Sequence, residues 1–115
     1  MKIVCFDSAG PRIVTPDEVG DPQTLGIRCL VNDGAMRDSS TKQMVFGVAE
    51  RTAFIRRTMT LEASDMIATG IPPGVGMART PPRWMCHGDT VTVEIERIGA
   101  LSNTVRLVAP RGGSR

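Results

Sequence analysis

Tyrosine is absent from this 115-residue sequence, tryptophan occurs once and phenylalanine three times. With aromatics at 3%, there is no interleaving of rings and basic residues for nucleic-acid bases to stack on. Charge is not blocked by sign either. Fourteen basic and twelve acidic residues leave a net +2, and the arginines are scattered. No nucleic-acid partner is expected from such a pattern. Histidine occurs once, at His87, and no Cys-x-x-Cys pair is present, so a zinc site of familiar spacing is excluded. The three cysteines, Cys5, Cys29 and Cys86, are far apart and odd in number, as expected of reduced thiols in a cytoplasmic protein. No stretch approaches the roughly 20 apolar residues of a membrane helix. The apolar run after Lys2 ends by Phe6, short of a secretory signal. No membrane partner is therefore expected. The length allows one domain at most, with a small core. No internal repeat is visible.

What is present reads as short elements joined by strong turn signals. Ile3 to Phe6 suits a strand, with Asp7 to Gly10 as a turn. Thr15-Pro16-Asp17-Glu18 has the spacing of a capping box with proline at the first helical position. It predicts one helical turn, ended by Gly20-Asp21-Pro22. Leu25, Ile27, Cys29 and Val31 recur every second residue and predict a strand. Asn32-Asp33-Gly34 predicts a hairpin, with Ala35 to Asp38 returning. Ser40 and Gln43, again at capping-box spacing, predict a helix from about Lys42 to about Arg57. Met44, Val48, Ile55 and Met59 would form its core stripe, with Val45, Ala49 and Thr52 alongside and Arg51 at the edge with its charge in water.

Met66-Ile67-Ala68 is a brief apolar run bounded by turn residues, as in a strand buried on both faces. Thr69-Gly70 follows, and Pro72-Pro73-Gly74 stops any helix or ladder. Gly70, Gly74 and Gly76 would let backbone approach a ligand closely. The long loop from Gly74 to Trp84 is of the kind that covers a site, with Trp84 expected to pack it down. In Cys86-His87, strand neighbours would point to opposite faces, so the pair is poorly placed as nucleophile and base and His87 is expected in a surface turn. Thr90 to Glu96 alternates Val91, Val93 and Ile95 against Thr92, Glu94 and Glu96, a half-buried antiparallel strand with its carboxylates in water. Arg97-Ile98-Gly99 turns the chain, and a strand from Leu101 to Leu107 returns with Leu101, Val105 and Leu107 inward. Ala109 to Arg115 reads as a flexible tail. The fold class is α+β, mostly antiparallel strands with one main helix.

Thr60-Leu61-Glu62, Asp65-Met66-Ile67-Ala68-Thr69-Gly70, Pro72-Pro73-Gly74-Val75-Gly76 and Pro81-Pro82-Arg83-Trp84 occur in an order that resembles the fumarylacetoacetate hydrolase family. Gly88 to Glu96 with Ile98 to Asn103 is similar to that family's closing hairpin. The likeness runs from about Gly10 to about Val108 and covers the second half of the family's catalytic domain, so residues 1–115 are expected to form a single, partial domain. It implies part of a rolled, mixed β-sandwich. It implies metal-dependent C–C hydrolysis, isomerisation or decarboxylation of 1,3-dicarbonyl or 2-oxo acid substrates in aromatic or 2-oxo acid catabolism.

The resemblance implies substrate-binding roles for Lys2, Thr69, Gly70 and the position of Ile71. Lys2, Phe6-Asp7 and Gly10-Pro11 are similar, at altered spacing, to an element whose lysine faces the substrate. Ile71 stands where a second threonine would offer a hydroxyl to the substrate carboxylate, a contact worth about 1.5–3 kcal/mol. Arg51 and Thr52 stand where apolar residues are usual. A magnesium- or manganese-type divalent cation is implied, but its Glu-x-Glu ligands belong to the earlier half of the family domain and not to Glu94 and Glu96. No catalytic or metal-binding residue is therefore assigned within this chain, which is expected to be inactive alone. A homodimer is expected. The alternative is a non-enzymatic role, as a dimerising remnant or as a piece complementing a separately encoded N-terminal half.

Overall fold

The computed structural model describes residues 9–74 and 76–108. The expectations for Lys2, for the strand at Ile3 to Phe6 and for the tail from Ala109 lie outside the described residues.

Four strands, β1 (Gly26–Val31), β2 (Gly34–Ser40), β3 (Thr90–Ile95) and β4 (Gly99–Thr104), form one sheet in the order β2-β1-β3-β4. All three pairings are antiparallel, with Cys29 opposite Arg37 on one side and Val93 on the other. Among the described residues two helices, α1 (Pro16–Val19) and α2 (Val48–Ile55), accompany the sheet, with 3-10 turns at Pro22–Thr24, Thr41–Gln43 and Gly76–Ala78. The expected α+β class holds.

The hairpin from β1 to β2 follows from its turn. Asn32 and Asp33 both have positive φ, 49° and 64°, the twist that matches two strands joined by two residues. The Asn32 side chain also ties this turn to β3. Its Oδ1 accepts from the Thr90 amide at 2.9 Å, and its Nδ2 donates to Asp89 at 2.6 Å.

The long predicted helix is corrected to two pieces. Ser40 does cap, accepting from the Lys42 amide at 3.3 Å, but only a 3-10 turn follows, and the side chain of Gln43 bonds Ser39. Gly47 is extended and serves as the N-cap of α2. The side chain of Gln23 then takes the Val48 amide at 2.6 Å, a long-range partner for a helix start that no local signal announces. At the first helix the expected capping box does not form: Thr15 makes no side-chain cap, and only its backbone carbonyl accepts, from Glu18 and Val19.

The predicted core is also corrected. Among the described residues the buried apolar side chains are Val19, Leu25 and Val31, and α2 buries none. The expected stripe is only partly covered: Met44, Val48 and Ile55 are half-buried, whereas Met59 and the neighbouring Val45, 84% exposed, are open. Met66-Ile67-Ala68 makes no ladder, and Met66 is 81% exposed. A short apolar run becomes a strand only beside a neighbour, and the described sheet does not take this run at either edge. Val93 and Leu107, expected inward, are exposed, and β4 ends at Thr104 rather than at Leu107. Trp84, 64% exposed, does not pack its loop down. The loop is closed instead by the Arg83 amide donating to the Gly76 carbonyl at 3.0 Å and by the Arg79 side chain donating from Nη2 to the Met36 carbonyl.

The radius of gyration, 17.1 Å, exceeds the roughly 13 Å of a compact domain of about 100 residues. The sheet is well paired, but Val31 is the one buried residue in its described strands.

Candidate functional site

The residues from Thr69 to Pro73 line one side of a cleft of about 430 Å³. Opposite them stand Ile27 of β1, Ser39 and Ser40 at the end of β2, the turn Thr41–Gln43 with Met44 and Val45, and Arg51 of α2. The volume falls in the range of small-molecule sites.

Thr41 anchors the floor. Its hydroxyl accepts from the Leu25 amide at 2.9 Å, and its own amide donates to the Leu25 carbonyl at 2.9 Å. Gln23 bridges this floor to α2. Its Nε2 donates to the Thr41 carbonyl at 3.0 Å while its Oε1 holds the Val48 amide. A side chain at Gly47 would press on that same Oε1, at 3.1 Å, which favours glycine at the turn into α2. Through this bridge α2 is fixed against the end of β2, and Arg51 is aimed across the cleft.

Arg51 is half-buried, not at an edge in water as its sequence position suggests. Its Nε donates to the Phe46 carbonyl at 2.9 Å, and its Nη1 donates to the Thr69 carbonyl. The guanidinium thus fastens the Thr69 wall to the helix. No carboxylate pairs with it among the described residues, where ion pairs involve Arg28 with Asp38 and Glu94. Among the described residues Arg51 is also the only charged side chain lining the cleft.

Of the residues singled out in the sequence, Thr69, Gly70 and Ile71 come together in this cleft, and Lys2 lies outside the described residues. Gly70 has φ +98° with open space where a side chain would project, so backbone rather than packing demands glycine there. Ile71 is exposed and presents no polar atom of its side chain. Gln23 and Arg51 were not identified as site residues by pattern. The departure from an apolar residue at Arg51 was the one signal pointing to it.

Glu94 and Glu96 lie elsewhere, in a wider hollow of about 600 Å³ over β1, β3 and β4. Glu94 meets Arg28 at 3.6 Å, and Glu96 accepts from the Gly26 amide at 2.9 Å. Arg12 and Arg97 there donate to the carbonyls of Ile98 and Val19. The polar groups of that hollow are spent on each other and on backbone. His87 sits in an exposed turn, its Nδ1 accepting from the Leu107 amide at 3.1 Å. Beside it the Cys86 amide donates to Asp89 at 2.7 Å. That bond, followed by the one from Asn32, holds the Asp89 carboxyl below its ordinary range. Asp17 is lowered too, chiefly by a hydrogen bond from the Thr15 hydroxyl. Neither lowered carboxyl lines the cleft.

Among the described residues no three His, Cys, Asp or Glu side chains gather as a metal site, and the cleft itself holds no carboxylate. A magnesium- or manganese-type cation needs several converging hard oxygens. The residues present do not fit such an ion.

Residues 3–106 match the family profile described as fumarylacetoacetate (FAA) hydrolase C-terminal. A mitochondrial oxaloacetate tautomerase of Xenopus laevis is 45% identical over 100 residues, 87% of this chain and 31% of that protein. The fumarylacetoacetate hydrolase of Exiguobacterium antarcticum superposes with a TM-score of 0.80 at 43% identity, over 84% of this chain and 35% of that one. Maleylpyruvate hydrolase from Sphingobium, solved with manganese(II) and pyruvate, superposes with a TM-score of 0.75 at 35% identity, over 84% of this chain and 34% of that one. The chain spans about a third of the length of these relatives.

Proposed function

The chain belongs to the fumarylacetoacetate hydrolase family, and from that premise we propose that it supplies one wall of a site for a 2-oxo acid or 1,3-dicarbonyl compound. The reaction would be hydrolysis, isomerisation or tautomerisation, or decarboxylation. The observation that carries the reading is the cleft itself. The Thr69-Gly70-Ile71 segment, exposed backbone at Gly70 included, faces a polar and cationic floor across a space of small-molecule size. The relatives named for oxaloacetate and maleylpyruvate, one of them holding pyruvate, support an acid of that size.

The manganese in the maleylpyruvate hydrolase relative supports a divalent cation in the family's chemistry. This stretch does not fit the ion, so its carboxylates belong, in this proposal, to a part of the domain outside these residues. What the chain does by itself is bind and orient. The cleft takes one end of the acid, and the loop after Gly70 limits its reach.

The chain on its own is proposed to have no turnover. Its exposed apolar surface, including Phe54, Met66 and Trp84, together with the sparse buried core, favours its being covered by the rest of such a domain. Purified chain is to be assayed with an acylpyruvate and with oxaloacetate, with and without magnesium or manganese, and sized by chromatography with light scattering. The expected result is a folded, self-associating or dye-binding chain without turnover. Metal-dependent turnover by the chain alone would overturn the division of labour. A clean monomer with no dye-binding apolar surface would overturn the need for a covering partner, and a discrete dimer would identify a second copy as that partner.

A further inference from the structure

We propose that Arg51 is the carboxylate receptor of the cleft, a specificity-determining contact and not only a clamp on the Thr69 loop. The inference rests on reading the cleft as a site for a small acid, and it names the group that holds that acid. Four observations meet here. Among the described residues Arg51 is the sole charged side chain lining the cleft. It is half-buried, so its field is less screened than that of a surface arginine. No carboxylate neutralises it among the described residues. Its guanidinium carries five N–H donors, and the carbonyls of Phe46 and Thr69 take one from Nε and one from Nη1.

The contact to Thr69 places the guanidinium head at the wall where an acid would lie, and among the described residues its remaining donors have no partner. The two carbonyl bonds also immobilise the side chain, so little rotamer entropy is left to lose when an anion arrives. A planar donor set held in place beside a cleft of about 430 Å³ suits a carboxylate, which accepts two N–H bonds in the same plane. The neighbouring hydroxyls are less available. Ser39 donates to Gln43, Ser40 accepts from Lys42, and Thr41 is occupied with Leu25.

The test separates charge recognition from loop support. Binding of pyruvate, of its neutral amide pyruvamide and of acetate is measured by NMR titration of the 115-residue chain, for the parent, Arg51→Met and Arg51→Lys. The parent is expected to hold pyruvate about tenfold to a hundredfold more tightly than pyruvamide, the loss typical of one charge-assisted contact. Arg51→Met is expected to erase that preference, and Arg51→Lys to keep part of it. A purely structural clamp would weaken pyruvate and pyruvamide alike when lost. Parallel weakening, a preference unchanged in Arg51→Met, or no preference in the parent would each overturn the proposal. The broader reading has its own arm. Arg51-dependent binding in which acetate equals pyruvate would keep the receptor and refute a 2-oxo acid site. A pyruvate preference over acetate that survives Arg51→Met would keep the 2-oxo acid site and refute the receptor. Because the lysine variant retains the charge and the methionine variant the length, misfolding of one leaves the other to decide.

Discussion

Replacing Thr41 by valine keeps the outline of the side chain and removes one oxygen. That oxygen accepts the Leu25 amide at 2.9 Å, and among the described residues no other hydrogen-bond partner is found for this amide. Both ends of the bond are out of water, with Leu25 4% and Thr41 8% exposed. The N–H left behind bears its desolvation cost, about 1–3 kcal/mol. The added methyl returns less than about 0.8 kcal/mol of burial. A net loss of about 1–2 kcal/mol is expected. In urea, with a slope of about 2 kcal/mol per molar, the midpoint should fall by roughly 0.5–1 M with the slope unchanged. Thr41→Ser is the control, because it keeps the oxygen and loses only a methyl. It should be the milder of the two. A valine variant as stable as the parent, with serine the more damaging, would show that this position is held by packing and not by the Leu25 hydrogen bond.

Two further outcomes follow from other parts of the fold. Gly76→Ala would place a Cβ 2.1 Å from the Arg83 carbonyl oxygen, so the backbone closure of that loop must open. Loss of one backbone bond of about 1 kcal/mol should speed amide exchange at Arg83 roughly fivefold while global stability changes little, as exchange by NMR would read. At Asp89 the carboxyl is lowered in the folded chain by the Cys86 and Asn32 donors, so its stabilisation is complete above the unfolded value, about pH 4, and is lost as pH falls through the lower folded value. Asp89→Asn should therefore flatten the acid limb of stability against pH, measured by urea midpoints between about pH 2.5 and 6. An identical acid limb in the variant would remove Asp89 from that role.

The two hairpins were legible because their information is local. Asn32-Asp33-Gly34 needs only its own φ angles to join two strands, and the alternation from Leu25 to Val31 and from Thr90 to Ile95 carried enough period to place β1 and β3. The long helix was misread because Gly47 interrupts it and because the partner of its new start, Gln23, is 25 residues away. The clamp from Arg51 to Thr69 spans 18 residues between a helix and a loop, and no spacing rule connects them. The Thr69 wall itself was visible through the resemblance, whereas the cleft's charge was not.

By itself, then, the sequence determined β1, β3, the turn between β1 and β2, the α+β class and the family, since each depends on neighbours in the chain or on residues agreeing in order. Tertiary structure decided where α2 begins, which carbonyls Arg51 and Gln23 reach, and that Met66, Val93 and Trp84 stay exposed. Apolar residues state only that burial is favourable. Whether a surface exists to bury them is a property of the packed molecule, and the described part of this one has a paired sheet in which Val31 is the one buried strand residue.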